Sequence, residues 1–501
     1  MKMKTILTIY IGLSTLMLSA QSLRTVVSDV LDTNPLVKSR LHHYEVIKAN
    51  IDIAEAGYYP TLNLESSSGR KTTGRINNNV ITETYNVFQN SLRLKQHIFD
   101  GFSTNETVRY QKMRTLSASY NYLSTVNDIA LKVVISYIEI EKEKALLKNS
   151  QLNVQHNDMT YKKVQKSYKS GLSTFSEVSK IHASLSLARS NLMLQKNKLH
   201  TAKHKFKRVV GIHTDPEVLA KIPSKLSLPK NEKEAETYAM EYSPVILAGK
   251  YNIQGAKALY RESKSAFYPK VDLELSQSYN ENYNEYIGTD DRTQGLIVVS
   301  YNLYNGGADE AKKLQSLSKI DQEVSLVNDL KREVALNIQL AWSSYQLALE
   351  QMPFIKLYQK ESKKTLKLYS SEYQLGKRSL LDLISAENDL KRANDERIYA
   401  RYGLLQAKYS IMHAMGLIII AILHNEEAYY QRVGINGKSK TVHTLNYNSI
   451  STAIASENIK KENILKKEKS ISVTKIQPIQ KKSSLFNERS NSLSPVGWKS
   501  R

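Results

Sequence analysis

Histidine is the side chain whose spacing comes closest to chemistry in this 501-residue sequence. His200 and His204 stand at i and i+4, so on a helix both rings would share one face. That arrangement begins a metal site when further ligands complete it. Here the neighbours are Lys198, Lys203, Lys205 and Lys207, which repel a cation. The stretch therefore reads as a solvated basic face. His42 and His43 are adjacent and cannot converge from one helix face. There is no glycine-rich phosphate loop, no His-Glu-x-x-His and no nucleophile elbow. Cysteine is absent altogether, which excludes disulfides, thiolate metal sites and a lipid on an N-terminal cysteine. No enzyme, cofactor or metal is expected.

The elements around these residues say more. Lys2 and Lys4, the apolar run Ile6 to Leu18 and the small residues ending at Ala20 read as an export signal over 1–20. The run is shorter than the ~20 residues that span a bilayer as a helix. The longest later apolar run, "LIIIAIL" at 417–423, has seven residues. An exported chain without a helical span is expected. Its formal charge of +23 would suggest nucleic acid in a cytosolic protein. Export removes that partner, and much of the excess sits in Lys438–Arg501, with 13 basic against 4 acidic residues.

The chain repeats itself. "EAGYYPTLNLESSSG" (55–69) returns as "KSAFYPKVDLELSQS" (264–278). Gly101, Gly171 and Gly211 have counterparts at Gly306, Gly376 and Gly416, each 205 residues later. One offset across three pairs indicates tandem duplication. The layout predicted is a first repeat over 21–212, a linker over 213–229, a second repeat over 230–425 and a basic extension over 426–501.

Each repeat has the same internal order. A helix such as Leu36–Ala56 opens after Asn34-Pro35 and ends at Tyr-Pro, since proline disfavours helix in the residue before it. A β-hairpin follows, over 61–99 and again over 270–304. Its apolar alternation runs through Leu62 and Leu64, then Leu92, Leu94 and Ile98. The second repeat offers Val271, Leu273 and Leu275, then either Leu296 and Val298 or Ile297 and Val299. Loops are expected over 69–79 and 280–291, where Gly, Asn and Thr gather. Residues 102–170 contain neither Gly nor Pro, enough for a helix on the order of 100 Å. A second long helix over 308–375 carries Pro353, so a kink is expected there. Returning helices over 172–210 and after Gly376 repeat apolar residues every three to four positions, the coiled-coil period. The 36–56 and 172–210 helices together come close to covering the first long one, stacked end to end beside it.

Two hairpins give four strands with two unpaired edges. Their alternation suits a lipid-facing exterior and a wet interior. Four strands cannot close a membrane barrel, and a bilayer forbids open edges, so a barrel would be shared among several chains. A soluble antiparallel sheet packed on helices is the alternative.

The segments "DTNPLVKSR", "AGYYPTLNLESS", "SLRLKQHIFDG", "YKSGLSTFSEV", "SAFYPKVDLELS", "YNLYNGG" and "YQLGKRSLLDLISAENDL" resemble the TolC family of outer-membrane export channels over roughly 22–420. The resemblance implies a mixed α/β membrane protein of the Gram-negative outer membrane, extending into the periplasm. It implies a homotrimer: three chains each give four strands to a twelve-stranded barrel, continued by an α-helical tunnel of long coiled-coil helices. The function implied is a passive exit duct, serving type I polypeptide secretion or small-molecule efflux with a periplasmic adaptor and an inner-membrane pump. A non-channel coiled-coil scaffold is the competing reading. By resemblance, Gly171, Leu172 and Ser173, with Gly376, Lys377 and Arg378, are adaptor-contacting tips. Asp382 matches the first of two gate aspartates; Ser385 stands where the second would be, and Glu177 occupies the repeat position of Asp382. The extension has few aromatics and much charge, so most of it is expected to be disordered and periplasmic, with one short helix near 455–469.

Overall fold

Asn34 sets the first boundary of the fold. Its side chain accepts from the backbone N–H of Leu36 (2.9 Å), and Pro35 occupies the first helical position. The computed structural model describes residues 21–435 apart from 78, 212–215, 218, 225, 283–286 and 424–426. The export signal over 1–20 and the extension beyond 435 lie outside the described residues.

Helices α1 (Leu23–Thr33) and α2 (Pro35–Glu55) lead through a 3-10 turn into Tyr59, whose φ of −106° and ψ of 156° are the extended values proline imposes on its predecessor. Helix α1 precedes the first helix expected from sequence. The second repeat copies the plan: α5 (Glu232–Tyr242), α6 (Pro244–Ser263), a 3-10 turn, then Tyr268 at φ −117° and ψ 150°. The long helices are α3 (Ser103–Lys169) and α7 (Ala308–Gln374), each of 67 residues. Their returning partners are α4 (Phe175–Val210) and α8 (Leu380–Ala414). Both α2 and α4 pack along α3, and both α6 and α8 along α7, which is the end-to-end stacking the lengths required. Helix α3 also packs on α6 and α8 and so joins the repeats. Pro353 lies inside α7, which stays helical on both sides of it.

The strands are β1 (Thr61–Asn77), β2 (Asn79–Phe99), β3 (Lys270–Glu281) and β4 (Thr289–Ser300). They form one antiparallel sheet in the order β1-β2-β3-β4, so β2 and β3 join the hairpins and β1 and β4 are the edges. The expected loop over 69–79 is instead strand up to Asn77 and again from Asn79. Ladder bonds come from the backbone, and threonines suit a pleated surface whatever the surrounding glycines suggest. The second loop is likewise shorter than expected, between Glu281 and Thr289.

Register decides the alternative that the sequence left open. Leu62 faces Leu94, Leu94 faces Leu275, Leu273 faces Ile297 and Val271 faces Val299. Directly paired residues share a face. The apolar face therefore takes Ile297 and Val299, and Leu296 and Val298 lie on the other. A register shift between His97 and Phe99 brings Phe99, not Ile98, opposite Val271.

The main core lies where α1, α2, α3 and α4 meet the chain after α8. Tyr122, Val126, Val133 and Tyr137 of α3 pack with Val27 and Phe206, and with Ile418 and Ile422 of α9 (Ile418–Leu423). Residues 427–435, which the sequence places in the extension, join this core. Helix α10 (Glu427–Arg432) buries Tyr429, Val433 and Ile435 are also buried, Arg432 pairs with Asp32 at 2.8 Å, and the Ser119 hydroxyl donates to the Val433 carbonyl at 3.1 Å. The boundary expected at 426 is thus displaced, because a short apolar segment inside a basic tail carries no periodicity to reveal it.

Candidate gate and docking tips

Both helical hairpins turn by one device. At the first, Gly171 adopts φ +73°, its N–H bonds to the Tyr168 carbonyl (2.9 Å), and the Leu172 N–H bonds to the Ser167 carbonyl (2.9 Å). At the second, Gly376 has φ +70°, with bonds to Tyr373 (3.0 Å) and from Lys377 to Glu372 (2.9 Å). This left-handed helix ending satisfies two carbonyls and favours glycine. The next helix is capped three residues later. Thr174 accepts from the Glu177 N–H (3.3 Å), and Ser379 from the Asp382 N–H (3.2 Å). The carboxylates accept from nearby hydroxyls: Ser173 donates to Glu177, and the Ser379 hydroxyl donates to Asp382 at 2.8 Å. Glu177 and Asp382 share a repeat position because both helix starts use an acidic residue there.

The candidate residues divide between two clefts. Asp382 and Ser385 line one, of about 420 Å³ between α7 and α8, together with Glu361, Tyr358, Tyr369 and Asp389. Glu177 lines another, of about 1170 Å³, where α3, α7 and α8 converge. The structure brings Asp382 and Ser385 together and keeps Glu177 apart from them. Asp389, seven residues after Asp382 and so two turns along the same face, is a second carboxylate that sequence reasoning missed. That spacing was its signal.

At the tips Leu172 is 84% exposed, and Lys377 is also exposed. Arg378 folds back onto its own hairpin. Its Nε donates to Glu372 (2.9 Å) and its guanidinium lies 4.2 Å from the centre of the Tyr369 ring. That hydrogen bond to Glu372, backed by the charges of Glu372 and Asp382, raises the Arg378 pKa. Burial, followed by the charge of Glu177, raises the Tyr373 phenol. Above the tips Val164, Ile181, Leu380 and Ile384 form an apolar cluster that ties α3, α4 and α8 together.

His42, His200 and His204 are exposed. His200 and His204 stack edge to face with centres 4.3 Å apart, and His42 pairs with Glu45 at 2.8 Å. Among the described residues no three or more candidate ligands gather into a metal site.

Residues 26–211 and 238–417 match the family model described as outer membrane efflux protein. The chain is similar to outer membrane efflux protein BepC of Brucella suis biovar 1, 24% identical over 389 residues, covering 76% of this chain and 82% of that protein. It is also similar to outer membrane protein TolC of Escherichia coli, 21% identical over 461 residues, covering 83% and 87%. Among solved structures the fold resembles CusC, described in terms of folding and transmembrane channel formation, with a TM-score of 0.70, 16% identity, and 78% and 91% coverage.

Proposed function

Because the chain belongs to the outer membrane efflux protein family, we propose that three copies close one twelve-stranded barrel in the outer membrane and continue it as a helical tunnel. The protein is an outer-membrane exit duct. One observation carries the trimeric reading: a four-stranded sheet with an apolar face whose outer edges, on β1 and β4, pair with nothing among the described residues. In lipid an open edge leaves backbone groups without partners, and only neighbouring copies satisfy them. The face bearing Leu64 (72% exposed) and Ile297 (74%) then meets lipid. The opposite face, with Glu65, Arg93, Lys95, Asp272 and Glu274, lines water. Strands β3 and β4 have 12 residues each, enough for the ~9–11 that a tilted strand needs to cross.

In this reading the Gly171 and Gly376 tips meet a periplasmic adaptor coupled to an inner-membrane pump. Leu172 and Lys377 present the exposed contacts, and three copies of Asp382, flanked by Ser385, ring the conduit. Glu177, engaged by Ser173, belongs to the wall beside it. Domain limits follow the repeats, with 213–229 as linker. A cysteine-free chain makes the barrel directly testable. Leu64→Cys on β1, combined with cysteines scanned along Arg292–Val299 of β4, should give intermolecular disulfides up to a trimer. Exclusively intramolecular or absent cross-links across the scan would contradict the shared barrel.

A further inference from the structure

We infer that Glu387 is a protonation-controlled latch: neutral, its carboxyl pins α8 to α3 beside the tips, and ionised, it lets the two hairpins part. The inference rests on reading these tips as the gate.

Glu387 lies on α8, seven residues after the helix begins, and is only 8% exposed. Thr160 of α3, also 8% exposed, donates from Oγ1 to Glu387 Oε1 at 3.0 Å. The other carboxyl oxygen, Oε2, is buried with no hydrogen-bond partner among the described residues. The bond crosses the seam between the repeats immediately above the apolar tip cluster. The next polar link between α3 and α8 joins Asn149 to the Lys391 carbonyl (3.1 Å) and to Asp395 (2.8 Å). It lies eleven residues back along α3, about 16 Å at the helical rise. Near the tips, then, one carboxyl bridges the two halves by hydrogen bonding.

Its surroundings supply the second state. The cleft beside it receives His156, Lys163 and Lys166 from α3, Glu177 from α4, Lys363, Lys367 and Tyr373 from α7, and Arg378 from the start of the α7–α8 return. Arg378 is engaged by Glu372 and Glu177 by Ser173. The four lysines are exposed and have no ion pair among the described residues. Oε2 is unpaired in either protonation state, but burying a neutral carboxyl in the dry seam costs less than burying a charge. A carboxylate there lacks donors for Oε2, whereas a slight opening would offer it ammonium groups.

Burial holds the Glu387 carboxyl above the usual carboxylate range, against the opposing effects of the Thr160 hydrogen bond and the Lys163 charge. A group whose pKa is raised in the packed state stabilises that state at low pH, and the stabilisation is lost as pH rises through the raised value. The packed tips are therefore favoured at acidic pH and the parted tips above it.

Spin labels at Lys169→Cys and Leu375→Cys, on the exposed ends of α3 and α7, would read the separation by double electron–electron resonance in the assembled full-length protein. Excess unlabelled chain keeps one labelled copy per assembly. From pH 5 to 8 the ratio of parted to packed hairpins should rise about tenfold for each unit by which the Glu387 pKa is raised. Glu387→Gln should stay packed and insensitive to pH; if it does not assemble, Glu387→Met, which cannot make the Thr160 bond, should be insensitive to pH at whatever separation it adopts. His156→Gln should retain the response. A wild type with constant separation, a Glu387→Gln protein that still responds, or a His156→Gln protein that does not, overturns the latch. A chain that shows the response but never conducts in bilayers overturns the channel reading instead.

Discussion

At the scale of single residues, Asp382 has two roles that mutation can separate. Its backbone N–H and its carboxylate both bond the Ser379 hydroxyl that caps the helix, and three copies around a narrow conduit would attract cations. Ser379→Ala removes the cap, at about 1 kcal/mol, while keeping the charge. Asp382→Asn removes the charge. In planar bilayers Asp382→Asn should lose block by multivalent cations and much of its cation preference, while Ser379→Ala keeps both. Equal effects from the two would reduce Asp382 to a helix cap. Asp382 was legible in the sequence through its distance from Gly376. Asp389, in the same cleft, was not singled out, because the reading stopped at Ser385, one turn earlier on the helix. Thr160 and Glu387 were invisible for a different reason: their contact joins residues 227 apart across a seam that no local period encodes.

At the scale of elements, duplication made most of the fold readable. The Gly- and Pro-free runs of α3 and α4, the Tyr-Pro exits and the paired glycines each have a local cause, and each appears where expected. What was missed lacks such a cause. Helix α1 is short, and its apolar face is too brief to set a period. Strand over 69–77 depends on ladder bonds to β2. Residues 427–435 are held by tertiary contacts with α1, α2 and α3. Two predictions belong here. Gly101 has φ +70°, and an added Cβ would lie 2.6 Å from the Ser265 carbonyl oxygen, whereas Gly171 at φ +73° has open space around it. Both Ala variants incur backbone strain of roughly 1–2 kcal/mol, and only Gly101→Ala adds a collision where the sheet joins the helices. Thermal melting of the assembled protein should fall clearly further for Gly101→Ala than for Gly171→Ala; equal melting would remove the close approach from the account. Truncation after residue 437 should leave assembly intact, but truncation after residue 423 removes Tyr429, Val433 and Ile435 from the core. At about 1.5–3 kcal/mol for each fully buried apolar side chain, the shorter chain should fail to assemble on a size-exclusion column. A stable assembly from it would make the segment dispensable.

At the scale of the whole molecule, one chain offers only part of a membrane structure. Four strands expose two edges, and large apolar side chains such as Leu340, Leu347 and Phe354 stand exposed on α7 among the described residues. Both are accounted for if copies surround a common axis, strands meeting edge to edge and helices face to face. The description of one chain then becomes the description of one third of a conduit, and the acidic residues near Gly376 become a ring. The most direct measurement is native mass spectrometry of the detergent-solubilised protein, paired with single-channel recording on the same preparation. The expected species has three times the mass of one mature chain and is the only species that conducts. A stable monomer that inserts and conducts would contradict the account at its centre.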